Sequence, residues 1–278
     1  MRKFSLFISS LAVLAFIACG GNKENNSCDS PAPTIPAEEA TCFKSTVFEI
    51  HKEFMMDESD PNSAKLTIDI SLPLIGLKNN EASKRIESII TQTAFQNSSE
   101  SETTSVAANE MIETAKEDFH SVKTRYNETI SQGYHKELFN RYYYIKGTAD
   151  TGYNGYINYV LYREEFLGGA HPNSATTVLN ISPKTGNDII LEDIFKEESM
   201  EELTEMIKNG IAGYFGVATF QDVTDLGLLF NSDIYVSNNF ILGKDTTTFI
   251  YNMYDIAPRA AGEISAKIPN DKIRHLMK

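Results

Sequence analysis

The spacing of apolar side chains limits the fold of this chain more than any other feature, because long segments follow the period of a strand or of a helix. Residues 42–55 and 64–75 are rich in β-branched side chains and partly alternating, which indicates two strands. In residues 79–96 and 106–127 the apolar side chains recur every three or four positions, which indicates two amphipathic helices. The two helical blocks therefore follow a pair of strands directly.

Strand patterns dominate the rest of the chain, with one further long helix. Because the strands flank the helices without strict strand–helix–strand alternation, we expect the α+β class, with mostly antiparallel sheets, packed helices and two sequential subdomains. The further elements predicted are strands at 138–151, 156–166 and 174–182, a helix from 191 to Gly213 or Gly216, a hairpin over 233–254, a strand at 262–269 and a helix over 271–277.

The N-terminus indicates export. Arg2 and Lys3 precede an apolar stretch from Leu6 to Ile17, which is too short to span a bilayer and of the length of a signal sequence. The stretch ends in Ala18-Cys19 followed by two glycines, and this resembles a bacterial lipoprotein signal. The resemblance implies that residues 1–18 are removed and that Cys19 carries the lipid. The protein would then sit in the cell envelope on the extracytoplasmic side, periplasmic or surface-exposed, with the membrane as a partner through its anchor. The alternative is an ordinary secretory signal with an incidental cysteine.

Residues 19–40 are predicted to form a flexible tether, because they are rich in Asn, Ser, Pro and Glu and poor in large apolar side chains. Cys28 and Cys42 remain after lipidation. In an oxidising compartment they form a disulfide between the tether and the first strand, or they stay as free thiols. No histidine stands at ligand spacing from them, so we expect no zinc site, no other metal and no cofactor.

The charge of the chain excludes some partners. The formal net charge is −13, and it becomes −15 once Arg2 and Lys3 are removed with the signal. This argues against nucleic acid and favours a cationic partner, unless the charge serves solubility alone.

A turn-forming stretch precedes the predicted strand at 174–182. Gly168 and Gly169 supply backbone freedom, and Pro172 holds the residue before it extended. Gly186 closes a second turn after that strand. For His171 three interpretations remain: part of a structural turn, a partner contact, or a catalytic group.

Two segments carry a family resemblance. "GGAHPN" with "VLNISPKTGNDIILEDIF", and "FIYNMYDIAPRAAGEISAKIPNDKI" at the far end, resemble the DUF3298 family. The region before them resembles the DUF4163 (PdaC-like) domain that commonly precedes it. The resemblance implies a DUF4163-like domain over 41–165 and a DUF3298-like domain over 166–278.

This pairing of domains occurs in envelope proteins, including RsiV-type anti-sigma factors whose extracellular part recognises lysozyme. The resemblance implies a non-enzymatic envelope lipoprotein that binds a cell-wall-related partner, either a lysozyme-like protein or peptidoglycan. Lysozyme-binding members show Pro-x-Tyr before Ile-x-Pro, where this chain has Asn252-Met253-Tyr254. Tyr254 fits this pattern and Asn252 departs from it. These two residues, with His171 from the turn, are the candidate partner contacts. The alternative function is an envelope glycan hydrolase or deacetylase, although no GxSxG, HExxH or deacetylase-type motif occurs.

Overall fold

Two sheets, one of six strands and one of three, organise the molecule. The computed structural model describes residues 25–26, 43–96 and 103–278. Both sheets are mostly antiparallel and carry packed helices, which confirms the predicted α+β class. The signal segment and the predicted roles of Cys19, Cys28 and Cys42 lie outside the described residues, as does most of the tether. Within the described ranges, no helix combines the length and the apolar character needed to cross a bilayer.

The six-stranded sheet follows chain order from edge to edge. Every neighbouring pair is antiparallel except β3 with β4, which is parallel. The strands are β1 (Asn25–Asn26), β2 (Lys44–Met55), β3 (Lys65–Gly76), β4 (Arg141–Thr151), β5 (Ile157–Phe166) and β6 (Asn173–Ile181).

The helical segment between β3 and β4 provides the long connection that a parallel pair requires. It comprises α1 (Asn80–Phe95), α2 (Thr104–Ser121) and α3 (Lys123–Ser131), followed by a short 3-10 helix over Lys136–Phe139.

The single helix predicted over 106–127 is wrong, because the helix breaks at Val122 (φ −92°, ψ 10°). The break redirects the chain so that Tyr126 is buried with its ring edge-on to Phe139, at 5.4 Å between centroids.

One face of β3 forms the centre of the first core. Leu66, Ile68 and Leu72 are fully buried there, and Ile86 of α1 and Phe119 of α2 are buried in the same cluster. Alternation along β3 and the three-to-four spacing along the helices thus describe the same apolar interface.

The second part of the chain surrounds the three-stranded sheet. Its elements are α4 (Leu191–Ile194), α5 (Met200–Phe215), α6 (Phe220–Asp225), β7 (Phe240–Leu242), β8 (Thr246–Tyr251), β9 (Ile264–Pro269) and α7 (Asn270–Ile273). The strands lie in the order β7, β8, β9, all antiparallel. A separate core of residues between Leu191 and Met277 lies around them.

Three expectations for this part need correction. The helix predicted from residue 191 is interrupted after α4 and resumes as α5, which ends at Gly216 in the left-handed conformation. Helix α6 was not predicted, although Thr219 and Asp222 form a capping box at its start. The hairpin predicted over 233–254 begins only at Phe240.

Asparagine side chains join the two sheets along the outer edge of β6. Asn239 Nδ2 donates to the carbonyl of Thr176 at 2.8 Å. The buried Asn180 donates to the Phe240 carbonyl at 2.7 Å and accepts from the Leu242 nitrogen at 3.0 Å. These amides satisfy backbone groups that a further strand would otherwise bind. The first core includes Leu179 and Ile181, so β6 packs with the strands before it, and the domain boundary at 165/166 stays a prediction.

Candidate interaction surface around the 252–256 turn

Tyr254 occupies a turn in a backbone conformation that tyrosine rarely adopts. The Asp255 nitrogen donates to the Asn252 carbonyl at 3.1 Å, and the Asn252 nitrogen donates to the Asp255 carboxylate at 2.8 Å. Tyr254 lies between them with φ +71°, a value that favours glycine at this turn position. Its side chain is nevertheless 60% exposed. A strained backbone that presents an exposed aromatic ring is a feature of binding sites rather than of cores.

Two more exposed aromatic side chains are attached close to this turn. The Phe230 nitrogen donates to the Ile256 carbonyl at 2.9 Å, which fixes the loop before β7 against the turn. Tyr235 packs edge-on to the buried Tyr251 at 5.5 Å between centroids, and the Tyr251 hydroxyl donates to the Tyr235 carbonyl at 2.6 Å. We call Phe230, Tyr235 and Tyr254 the aromatic rim. More than half of each side chain is exposed.

The aromatic rim lies in an acidic segment. Residues 217–256 contain five aspartates and a single basic residue, Lys244. Burial raises the pKa of the Tyr235 hydroxyl, and the nearby Asp255 carboxylate adds to this rise. Exposed aromatic side chains in an acidic segment suit a partner with a cationic surface.

Asn252, a predicted partner contact, has an internal role that the sequence did not indicate. Its Oδ1 accepts from the Thr176 nitrogen at 2.7 Å, and its Nδ2 donates to the Thr176 carbonyl at 3.0 Å. Both ends of the amide are therefore bound to β6, and Asn252 supports the turn that carries Tyr254.

The loop of Gly168 to Pro172 connects β5 to β6 at the protein surface. Gly168 and Gly169 have φ values of +97° and +108°, and a side chain added at either would meet open space. His171 is exposed and makes no hydrogen bond or ion pair with the part of the chain that the structure describes. The sequence-predicted contacts His171 and Tyr254 thus lie on different loops.

Gly186, in the turn after β6, is tightly enclosed. Its φ is +76°, and its nitrogen donates to the Ser182 carbonyl at 2.8 Å. A Cβ at this position would lie 2.5 Å from the Ala82 carbonyl oxygen of α1. The turn therefore requires glycine for both its backbone angle and its contact with α1.

Polar and aromatic groups also gather on the sheet face opposite the helices. His51 Nδ1 lies 2.5 Å from the Asp69 carboxylate, which raises the histidine pKa by hydrogen bonding and charge. Glu164 accepts from the hydroxyls of Tyr142 at 2.7 Å and Tyr162 at 2.5 Å. Burial, with the Glu164 carboxylate, raises the pKa of both tyrosines to about 12. His51 is a histidine held by a carboxylate, which is an arrangement that acid–base catalysts use.

No group of three His, Cys, Asp or Glu side chains within residues 43–96 and 103–278 is arranged to hold a metal ion. The sequence missed Phe230 and Tyr235 as candidate contacts. The available signal was the apolar run from Leu226 to Phe230 in a segment without helical or strand periodicity.

Comparison with known families assigns one segment of the chain to a family. Residues 192–271 match the model of a protein family of unknown function, DUF3298, so this segment is a DUF3298 domain as predicted. The segment contains the whole aromatic rim. The DUF4163-like assignment for 41–165 stays a prediction.

Two crystal structures of DUF3298 proteins are similar to this chain. The protein from Bacteroides fragilis NCTC 9343 is 25% identical with a TM-score of 0.74, over 86% of this chain and 95% of the other. The protein from Pseudomonas aeruginosa PAO1 is 13% identical with a TM-score of 0.55, over 84% of this chain and 94% of the other, and shows the shared fold. Comparison with curated proteins gives no significant match.

Proposed function

We propose that this protein is a non-enzymatic lipoprotein of the cell envelope, and that its DUF3298 domain binds a cell-wall-related partner through the aromatic rim. One observation carries the proposal: Tyr254 is held at φ +71° with its side chain exposed. The internal bonds of Asn252 and Asp255 maintain this arrangement.

A cationic lysozyme-like protein is the partner that the surface favours. Exposed tyrosine and phenylalanine side chains supply anchors of the kind that concentrate binding energy in protein interfaces. The aspartates in residues 217–256 and the net charge of −15 without the signal segment would accelerate association with a cation. Peptidoglycan is the second partner that the family resemblance implies, and it offers less charge complementarity.

Calorimetry on the chain lacking residues 1–19 tests the proposal, with c-type lysozyme and with soluble muropeptides as titrants. We expect binding to lysozyme without turnover. Added salt should slow association, because it screens the attraction between opposite charges. Heat with muropeptides alone would assign the rim to glycan, and no heat with either titrant would refute the proposal.

Tyr254→Ala tests whether the aromatic rim is the binding surface. We expect it to weaken binding at least tenfold, whereas Tyr254→Phe should retain most of the affinity. Tyr134→Ala is the matched control, because Tyr134 is 58% exposed and lies outside the DUF3298 domain. Thermal unfolding of each variant separates loss of contact from loss of structure.

An envelope glycan hydrolase or deacetylase is the alternative, and the pairing of His51 with Asp69 favours it. The pair lines a hollow of about 310 Å³, together with Ser71 and Tyr144. Release of acetate or of reducing ends from peptidoglycan, lost in His51→Ala, would support this alternative.

A further inference from the structure

Arg163 is a partly buried cation that lacks a hydrogen-bond partner for one of its nitrogens. It lies on β5 in the row of Tyr159 and Leu161, which face the helices and are fully buried. Its Nη1 atom is shielded from solvent and makes no hydrogen bond. Buried guanidinium groups are normally paired, because removing their hydration is costly. An unpaired one calls for a ligand or a bound water.

Space for a ligand adjoins this nitrogen. Two hollows, of about 180 and 240 Å³, both border on Arg163, Tyr143 and Gln96. The larger one lies between β4–β5 and the helices α1 and α2. Ala175, opposite Arg163 on β6, is too small to fill the smaller hollow.

The charges around the hollows are mixed. Glu110 and Asp118 of α2 line the larger hollow together with Arg163. Burial raises the pKa of the Tyr143 hydroxyl; the Glu165 and Asp118 carboxylates raise it further, and Arg141 and Arg163 oppose them. The Tyr143 hydroxyl therefore lies within electrostatic reach of Arg163 and of the Glu165 and Asp118 carboxylates. A simple anion would be attracted by Arg163 and repelled by its acidic neighbours.

From this arrangement we propose that the crevice between β5 and α2 binds a small zwitterion of amino-acid size. Arg163 holds the carboxylate of the ligand, and Asp118 with Glu110 holds its ammonium group. A guanidinium is suited to the carboxylate because its planar nitrogens bind both oxygens. The site is separate from the aromatic rim and does not depend on the function proposed for it.

Titration with four related probes tests the charge requirement on the chain lacking residues 1–19. Alanine, as each enantiomer, carries both charges; propionate lacks the ammonium group and alaninamide lacks the carboxylate. We expect at least one alanine enantiomer to bind, and the propionate and alaninamide dissociation constants to be at least tenfold higher. If none of the four binds, the crevice holds only water and the proposal is wrong. Equal binding of propionate and alanine would also overturn it.

Variants then locate the site. Arg163→Met should raise the dissociation constant of alanine at least tenfold, and Arg163→Lys should raise it less. Asp118→Asn guards against misfolding, because Asp118 is exposed and its replacement should not disturb the core. We expect it to weaken the binding of alanine and to leave the binding of propionate unchanged or stronger. Lys146→Gln makes the same charge change as Arg163→Met on the opposite face of the sheet and should leave binding unchanged. Unchanged alanine binding in both Arg163→Met and Asp118→Asn would refute the proposal.

Discussion

The side-chain amide of Asn252 pairs with the backbone of Thr176 as a neighbouring strand would. Its Oδ1 accepts from the Thr176 nitrogen at 2.7 Å, and its Nδ2 returns a hydrogen bond to the carbonyl at 3.0 Å. Thr176 is buried, so neither backbone group has water as a ready replacement partner. Together with Asn239, which binds Thr176 and Val178, Asn252 thereby satisfies part of the outer edge of the six-stranded sheet.

Removing this amide should destabilise the fold. We expect Asn252→Ala to lower the free energy of unfolding by about 1–3 kcal/mol, since the buried Thr176 nitrogen loses its hydrogen-bond partner and the Thr176 carbonyl keeps only Asn239. Denaturant unfolding measures the change. Asn209→Ala is the control, because Asn209 is an exposed residue of α5 and its replacement should cost nothing. Equal stability of the Asn252 variant and the parent would show that the pairing contributes nothing.

The two glycine turns should respond differently to substitution. Gly186→Ala should cost about 2–4 kcal/mol, because it combines a positive φ with a Cβ at 2.5 Å from the Ala82 oxygen. Gly169→Ala should cost only about 1–2 kcal/mol, since its φ is unfavourable but the space is open. Thermal unfolding of both variants measures the difference. A larger loss at Gly169 would contradict the contact between the second turn and α1.

Asp188 should make the fold less stable as pH rises from about 4 to 6. Burial raises its pKa to about 6, although the backbone nitrogens of Asn180 and Ile189 donate to it. In this pH range the folded protein binds more protons at Asp188 than the unfolded chain does, so ionisation favours unfolding.

Asp188→Asn keeps an acceptor for both nitrogens and removes the charge. We expect it to raise the free energy of unfolding at pH 7 by about 1–2 kcal/mol and to have no effect below pH 4. Unfolding curves at both pH values check this expectation. Asp233→Asn, an equal charge change at an exposed position, is the control and should leave the free energy of unfolding nearly unchanged. A destabilising effect of Asp188→Asn at pH 7 would exclude the ionisation argument.

Cys19→Ser tests the predicted anchor. We expect the variant to be released from membranes or to accumulate as an unprocessed precursor, because the lipid attachment site is lost. Fractionation with mass measurement follows both outcomes. Processed, membrane-bound protein in the variant would mean that anchoring does not depend on Cys19.

Local pattern predicted most of the elements but few of the contacts that join them. Strand β3 and helix α1 lie within a residue or two of their predicted bounds, since alternation and helical spacing are properties of the local sequence. The break at Val122 was missed, because the apolar spacing continues through it to Tyr126. Helix α6 could have been found from Thr219 and Asp222.

The candidate sites depend on contacts between residues distant in sequence. Tyr254 could be named from the family resemblance, but its positive φ depends on a turn that the sequence did not specify. Asn252 was expected at a partner surface and instead binds Thr176, a contact that no local pattern encodes. In the sequence, Arg163 is indistinguishable from an ordinary charged residue of a strand. The shielding of its Nη1 nitrogen depends on the packing of α1 and α2 over β5.

The parallel pairing of β3 with β4 has a consequence for the order of folding. Leu66 pairs with Arg141, so three helices must be enclosed in one long loop before this contact forms, whereas β4, β5 and β6 are joined by short connections. Closing the long loop has the greater entropic cost, and contacts between distant residues slow the search. The meander of β4 to β6 is therefore able to assemble early, and until β3 arrives its inner strand edge remains open to pairing with other chains. Pulse-labelling hydrogen exchange should detect protection of β5 amides before those of β3.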